Sequence, residues 1–215
     1  MRDAAGASEP RKRLSSAERR EEFVQKAIEF FAEHGFDSST RELAKRLGVT
    51  QPLLYRYFES KDDLISEVYE AVYVRRWRAE WDEMLADRNV TLRDRLVGFY
   101  HDYAGVIFQR DWMRIFLSAG LKGGAINRRY LDRVRRHILE PIAREYRHEN
   151  GMAVETITDE ETELVWSVHG GIYYYGVRSV IYEQRPIKDL DFVIETSVDS
   201  LLATLGRFHA GTRHP

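Results

Sequence analysis

The sequence predicts an all-α protein of about nine helices, and three observations carry that expectation. Apolar residues recur at helical spacing almost throughout, and runs that alternate apolar with polar residues, the mark of half-buried strands, are absent. Ser or Thr stands three residues before Glu or Asp just ahead of several apolar runs, the pattern of a capping box that satisfies free N–H groups at a helix start. Pro is scarce, 5 residues in 215, so few helix interiors are interrupted.

The elements follow in order. Ser15-x-x-Glu18 opens a first helix whose stripe of Phe23, Val24, Ala27, Ile28 and Phe31 has one apolar face, and Gly35 ends it. Ser39-x-x-Glu42 opens a short second helix carrying Leu43, Ala44 and Leu47, which stops at Gly48. A third begins near Thr50 or Gln51, with Pro52 in its first turn, where a missing N–H costs little. Ser60-x-x-Asp63 opens a long fourth helix through Leu64, Ile65, Val68 and Val72. Asn89 marks a break, and Thr91-x-x-Asp94 starts a helix to about Gln109. Residues 112–121 form a shorter helix, and Gly123 and Gly124 break the chain. Residues 126–149 are helical, with Pro141 kinking or dividing them. Thr158-x-x-Glu161 starts a helix to Glu183, and Pro186 separates it from a last helix with Ile194, Val198, Leu201, Leu202, Leu205 and Phe208 on one face.

Composition narrows the function classes. At 43% hydrophobic and 32% charged, the chain has an ordinary apolar fraction for one or two compact domains. The absence of Cys excludes disulfides, thiolate metal sites and a Cys nucleophile. The longest uncharged run, residues 164–177, is shorter than the roughly 20 residues a membrane helix needs. No apolar signal-peptide core follows the first methionine, so a soluble cytoplasmic protein with no membrane partner is expected. The net charge of −2 hides an asymmetry: residues 1–61 carry +2 and the rest −4. Residues 1–14 read as a disordered tail with a basic cluster at Arg11, Lys12 and Arg13.

The informative stretch is residues 39–61, STRELAKRLGVTQPLLYRYFESK. Two short helices separated by Leu47-Gly48-Val49 suit a helix-turn-helix, with Gly48 free to take the φ > 0 turn. Leu43, Ala44, Leu47, Val49, Leu54 and Phe58 are spaced to pack the pair against the first helix. Thr50, Gln51, Leu53, Tyr55, Arg56 and Tyr57 are left on the free side. Hydroxylated aromatics beside an Arg suit phosphate oxygens; a helical hairpin with ordinary surface tyrosines is the plainer alternative.

Residues 15–75 resemble the DNA-binding domain of tetracycline-repressor (TetR) family regulators. The likeness rests on Phe31-Ala32-Glu33-His34-Gly35-Phe36, Leu43-Ala44, Gly48-Val49-Thr50, Leu54-Tyr55-x-Tyr57-Phe58 and Lys61. Pro52 and Leu53 depart from it, standing where many members have small or polar residues. The helical remainder, residues 76–215, is similar in layout to the family's effector-binding and dimerisation domain. The resemblance implies a non-enzymatic, homodimeric transcription factor, usually a repressor, released from palindromic double-stranded operator DNA by a small molecule, with no cofactor. It implies that Thr50, Gln51, Pro52 and Leu53 face bases and that Tyr55, Tyr57 and Lys61 hold phosphates. Ser39, Thr40 and Arg41 would meet the backbone at the second helix's N-terminus.

Two features mark the C-terminal part. Gly170, Gly171 and Gly176 lie within one helix, where each costs roughly 1 kcal/mol against Ala. Close approach of another helix would offset this. Gly170 and Gly171 with Ile194, Val198, Leu201 and Leu205 are therefore the expected dimer interface. A glycine-loosened core helix is the alternative. Aromatic density is the second feature. Such helical stripes are more often plain core, but for the ligand-binding domain that the resemblance implies, an effector pocket is expected among Tyr100, Tyr103, Trp112, Phe116, Trp166 and Tyr173. With no dense Arg/Lys cluster there, the effector is expected to be hydrophobic or aromatic. His101, His137 and His169 lack ligand spacing, so no metal is expected. No hydrolase or metalloprotease motif is present, which weighs against the rival reading of a helical enzyme with an aromatic cavity, and the intact Tyr55, Tyr57 and Lys61 weigh against the other rival, a protein-interaction adaptor that has lost DNA binding.

Overall fold

A computed structural model describes residues 15–121 and 125–211. The basic tail, residues 1–14, and the Gly123–Gly124 break lie outside the described residues. Within them the protein is all α and contains no strand. Its helices are α1 (Ser16–His34), α2 (Thr40–Arg46), α3 (Gln51–Tyr55), α4 (Lys61–Tyr69), α5 (Glu80–Ala86), α6 (Leu92–Ile107), α7 (Arg110–Gly120), α8 (Ala125–Val134), α9 (Glu140–Glu149), α10 (Asp159–Gly176) and α11 (Leu190–Gly211). No helix among the described residues is long and apolar enough to cross a membrane.

The expected caps form. Ser15, Ser39 and Thr158 make full capping boxes with Glu18, Glu42 and Glu161. Ser60 and Thr91 accept from the N–H of Asp63 and Asp94. The shorter Asp63 side chain reaches the Glu59 N–H instead of the cap residue's own. Gly48 adopts φ +67° in the turn after α2, a conformation that any Cβ would strain.

Two helical segments carry a wide turn. The fourth helix runs on past Val72, as its pattern implied. It closes in a wide turn, Glu70–Val74, where the Arg75 N–H reaches back to the Glu70 carbonyl, and the separate α5 follows. Pro141 does not divide its segment. A wide turn over Arg135–Leu139 just precedes it and carries α8 into α9, at the place where proline's ring would crowd the preceding turn and its missing N–H leaves the helical ladder one bond short.

The first three helices and α4 enclose one part of the core, with Phe23, Val24, Ala27, Ile28, Phe31, Leu43, Leu54, Phe58, Leu64 and Val68 all buried. The remaining helices enclose the other, in which α10 packs on α11 and α11 on α6. The two parts meet where α1 lies along α7. Buried charges in the second part are paired. Glu145 lies 2.9 Å from Arg95 and is also held by Arg88. Glu161, fully buried, accepts from Nε and Nη2 of Arg147 at 2.6 and 2.7 Å. Burial pushes both carboxyls up, but the arginines outweigh it and hold them below the ordinary glutamate range.

Candidate nucleic-acid interface

The head is built from α1 to α4, and its geometry starts at the caps. Ser39 and Thr50 are exposed and use their hydroxyls to accept from the N–H of Glu42 and Leu53. Pro52 and Tyr55 are exposed, while Gln51 and Leu53 are half-buried. Tyr57 is half-buried with its ring edge-on to Phe23 at 5.1 Å. Arg41 is exposed, and Lys61 stands half-buried as the first residue of α4.

Thr40 departs from expectation. It is buried and turned toward α3 rather than outward. Its Oγ1 accepts from Gln51 Nε2 at 2.9 Å and lies 3.0 Å from the Tyr55 hydroxyl. The second and third helices are thus stitched by three side chains expected to point at DNA. Sequence reasoning missed Lys45, exposed on α2. Arg41, Lys45, Arg56 and Lys61 form no ion pair or side-chain hydrogen bond among the described residues. Other arginines of the head do, with Arg46 on Glu33 at 2.6 Å and Arg20 on Glu67 at 2.9 Å.

A second feature lies between α7, α8 and α10, where a cavity of about 230 Å³ opens. Tyr103, Trp112, Phe116, Trp166 and Tyr173 line it as expected, and Tyr130, His169 and Gly170 join them. Tyr100 does not line it. That ring is fully buried beside Phe99 and 5.9 Å from His169, behind the wall. The Tyr103 and Tyr130 hydroxyls bond each other at 2.6 Å. The Tyr173 hydroxyl and His169 Nδ1 are buried without a partner. Burial in this apolar wall pushes the His169 imidazole down to about 4, so the ring is neutral near pH 7. The missed residues were readable, because Trp166, His169, Gly170 and Tyr173 fall at i, i+3, i+4 and i+7 of one helix.

Residues 23–68 match the family model described as bacterial regulatory proteins, tetR family. This segment of the chain is thus a TetR-type helix-turn-helix. It is 33% identical over 93 residues to the tetracycline repressor protein class G of Vibrio anguillarum, a match covering 43% of each chain. It is 45% identical over 51 residues to an uncharacterized HTH-type transcriptional regulator of Mycobacterium tuberculosis, 24% of this chain and 22% of that one. The chain thus spans less than half the length of these curated relatives. A TetR-like transcriptional regulator from Rhodococcus sp. RHA1 shares the fold, with a TM-score of 0.65 at 19% identity, over 93% of this chain and 100% of that one.

The TetR-type head is joined to the rest by α7. Trp112 and Phe116 on this helix reach the cavity. From another side of it, Arg114 donates to the carbonyls of Ala32 and Glu33 at the end of α1. The Glu33 carboxylate in turn holds Arg46 of α2.

The dimer stripe expected on the last helix is corrected. Ile194, Val198, Leu201 and Leu205 are fully buried within the single chain, so they are not available to a second copy. The helical period was right, but the apolar face closes the chain's own core against α6 and α10. The three glycines of α10 also divide. A Cβ on Gly176 would collide with the Phe108 ring, so this glycine permits a close approach inside the subunit. Gly170 lines the cavity, and Gly171 is exposed with nothing within 4 Å of a built Cβ. Around this end of the molecule Tyr174, Tyr182, Ile187 and Phe192 are exposed. The three histidines do not converge: His101 lies near Asp191, His137 near Asp82, and His169 at the cavity.

Proposed function

We propose that the protein is a cytoplasmic transcriptional repressor that binds a palindromic operator as a homodimer and lets go of it when a small aromatic effector enters the cavity between α7, α8 and α10. Residues 15–75 form the DNA-binding head and residues 76–215 the effector-binding and dimerisation domain. The reading is of a regulator and not an enzyme.

The observation that carries this reading is the set of unpaired cations, Arg41, Lys45, Arg56 and Lys61, on and beside α2 and α3. Elsewhere in the head Arg20, Arg46 and Arg75 neutralise carboxylates; here the charge is left for an outside anion, and duplex phosphates are the match for a helix-turn-helix. Ser39, Arg41, Tyr55, Tyr57 and Lys61 hold phosphates, and Thr50, Gln51, Pro52 and Leu53 approach bases. Thr40 is reassigned as the residue that positions Gln51 and Tyr55. Dimerisation uses the exposed side of α10 and α11, with Gly171, Tyr174 and Phe192, in place of the buried stripe. Effector binding reaches the head through α7, because Phe116 and Arg114 belong to one rigid helix.

Selection of bound DNA from a random duplex pool by the full chain tests this. An inverted repeat should emerge, with A·T pairs opposite the start of α3. Gln51 is the one polar side chain of base-reading length there, and its amide matches adenine. Failure to enrich any sequence would sink the regulator reading. Light scattering should report a dimer at micromolar concentration and monomers or aggregates for Gly171→Leu; a monomeric wild type would sink the dimer.

A further inference from the structure

Buried hydrogen-bonding atoms without partners are rare in folded proteins, and each marks a place where a partner is missing or comes from outside. Two of them stand on one side of the cavity. His169 Nδ1 and the Tyr173 hydroxyl are both buried and unpartnered. They lie at i and i+4 on α10, one turn apart on the same face, and both residues line the cavity. The other two hydroxyls in the wall, those of Tyr103 and Tyr130, bond each other. Neutral imidazole offers one donor and one acceptor nitrogen, and a tyrosine hydroxyl both donates and accepts. A group that donates and accepts at once therefore suits the pair best.

The rest of the wall limits charge and size. No charged side chain lines the cavity, so an ionised ligand would lose its water without a counter-ion. Trp112, Phe116 and Trp166 present flat apolar surface. The volume of about 230 Å³ falls below the roughly 300–1,000 Å³ of pockets for drug-sized ligands. Gly170 sits between His169 and Tyr173 on this face, and a Cβ built there meets no atom within 4 Å. Glycine is a poor helix former, and no close packing requires it here. Its effect is to leave room.

We propose that this cavity takes an uncharged one- or two-ring aromatic molecule bearing a hydroxyl group, bound jointly by His169 Nδ1 and the Tyr173 hydroxyl, with Gly170 setting the space available to it. The assignment deepens the effector reading above and rests on it only for its regulatory meaning.

Calorimetric titration of the full chain with 2-naphthol, naphthalene and 2-naphthoate tests the ligand class. 2-Naphthol should bind at least about tenfold more tightly than either of the others. Tyr173→Phe and His169→Phe should each bring 2-naphthol close to naphthalene, while leaving naphthalene within about threefold. Gly170→Leu should abolish binding of both with the melting temperature held or raised, which separates a filled cavity from a misfolded chain. Equal binding of naphthol and naphthalene, tighter binding of naphthoate, unchanged binding in Gly170→Leu, or no binding of any probe would overturn the assignment. Operator binding measured in parallel keeps the two readings apart. Naphthol that binds as described but leaves DNA affinity unchanged overturns the effector reading and supports the ligand class. Release of DNA by naphthoate and not by naphthol does the reverse.

Discussion

The head and the body of this protein treat polar groups in opposite ways. Among the described residues, no buried side-chain nitrogen or oxygen of the head lacks a partner, and even the tucked-in Thr40 is bonded twice. Its unpaired groups are full charges on the outside. The body pairs its buried carboxylates with arginines but leaves the Tyr100 and Tyr173 hydroxyls and His169 Nδ1 unpaired inside. The difference teaches what each region is shaped to meet. Exposed, unpaired cations suit a large polyanion that never enters the fold, whereas buried, unpaired neutral groups suit a small molecule that does.

The sharpest way to break the contrast is to attack packing on α10. Gly176→Leu must displace the Phe108 ring and should cost about 2–3 kcal/mol of stability, read by urea unfolding. If it unfolds like the wild type, the close approach assigned to Gly176 is wrong. In the head, Gln51→Ala should weaken operator binding by about 1–3 kcal/mol at one adenine per half-site and relax the preference there. A selected operator with invariant G·C pairs at those positions, indifferent to the substitution, would put other residues in the groove.

The buried histidine gives a pH signature confined to the body. Its pKa is about 4 in the fold, and unfolding returns it to the ordinary value of 6.5. Below pH 6.5 the unfolded chain binds a proton that the folded chain refuses. The imidazole's contribution should therefore be constant above that pH and should lower stability by up to about 1.4 kcal/mol per unit as pH drops toward 4. His169→Phe should remove this part of the slope between pH 6.5 and 5, where Glu145 and Glu161 remain ionised. Equal slopes for wild type and variant would show that the imidazole protonates in place.

Two smaller effects sharpen the comparison further. Lys61→Ala should weaken binding to all duplexes alike and lower the salt slope by about one unit, with cavity probes bound as before. A loss of sequence preference at constant slope would contradict the phosphate role. Gly170→Ala, on the same helix as Gly176, should raise stability by about 0.5–1 kcal/mol, since its Cβ enters open space and alanine is the better helix former. Destabilisation there would mean the cavity is not open at that point.

Local rules are what the sequence by itself determined. Caps act within four residues, so Ser15, Ser39, Thr50, Ser60, Thr91 and Thr158 marked their helix starts correctly. Glycine's access to positive φ is a property of one residue, so Gly48 marked its turn. The head is the part of the chain where such short-range signals crowd together, and its fold was legible almost residue by residue. Periodicity also showed that Ile194, Val198, Leu201 and Leu205 share a face, and that Trp166, His169, Gly170 and Tyr173 share another. What periodicity lacks is an address. An apolar stripe is equally content against its own chain or a second copy, because burial is non-directional. Only the packing of α11 on α6 and α10 decided that the first stripe faces inward. Only the meeting of α7, α8 and α10 decided that Tyr130 enters the cavity and Tyr100 stands behind it. The same holds for Thr40, whose hydroxyl was expected outside until α3, eleven residues further on, supplied Gln51 to occupy it.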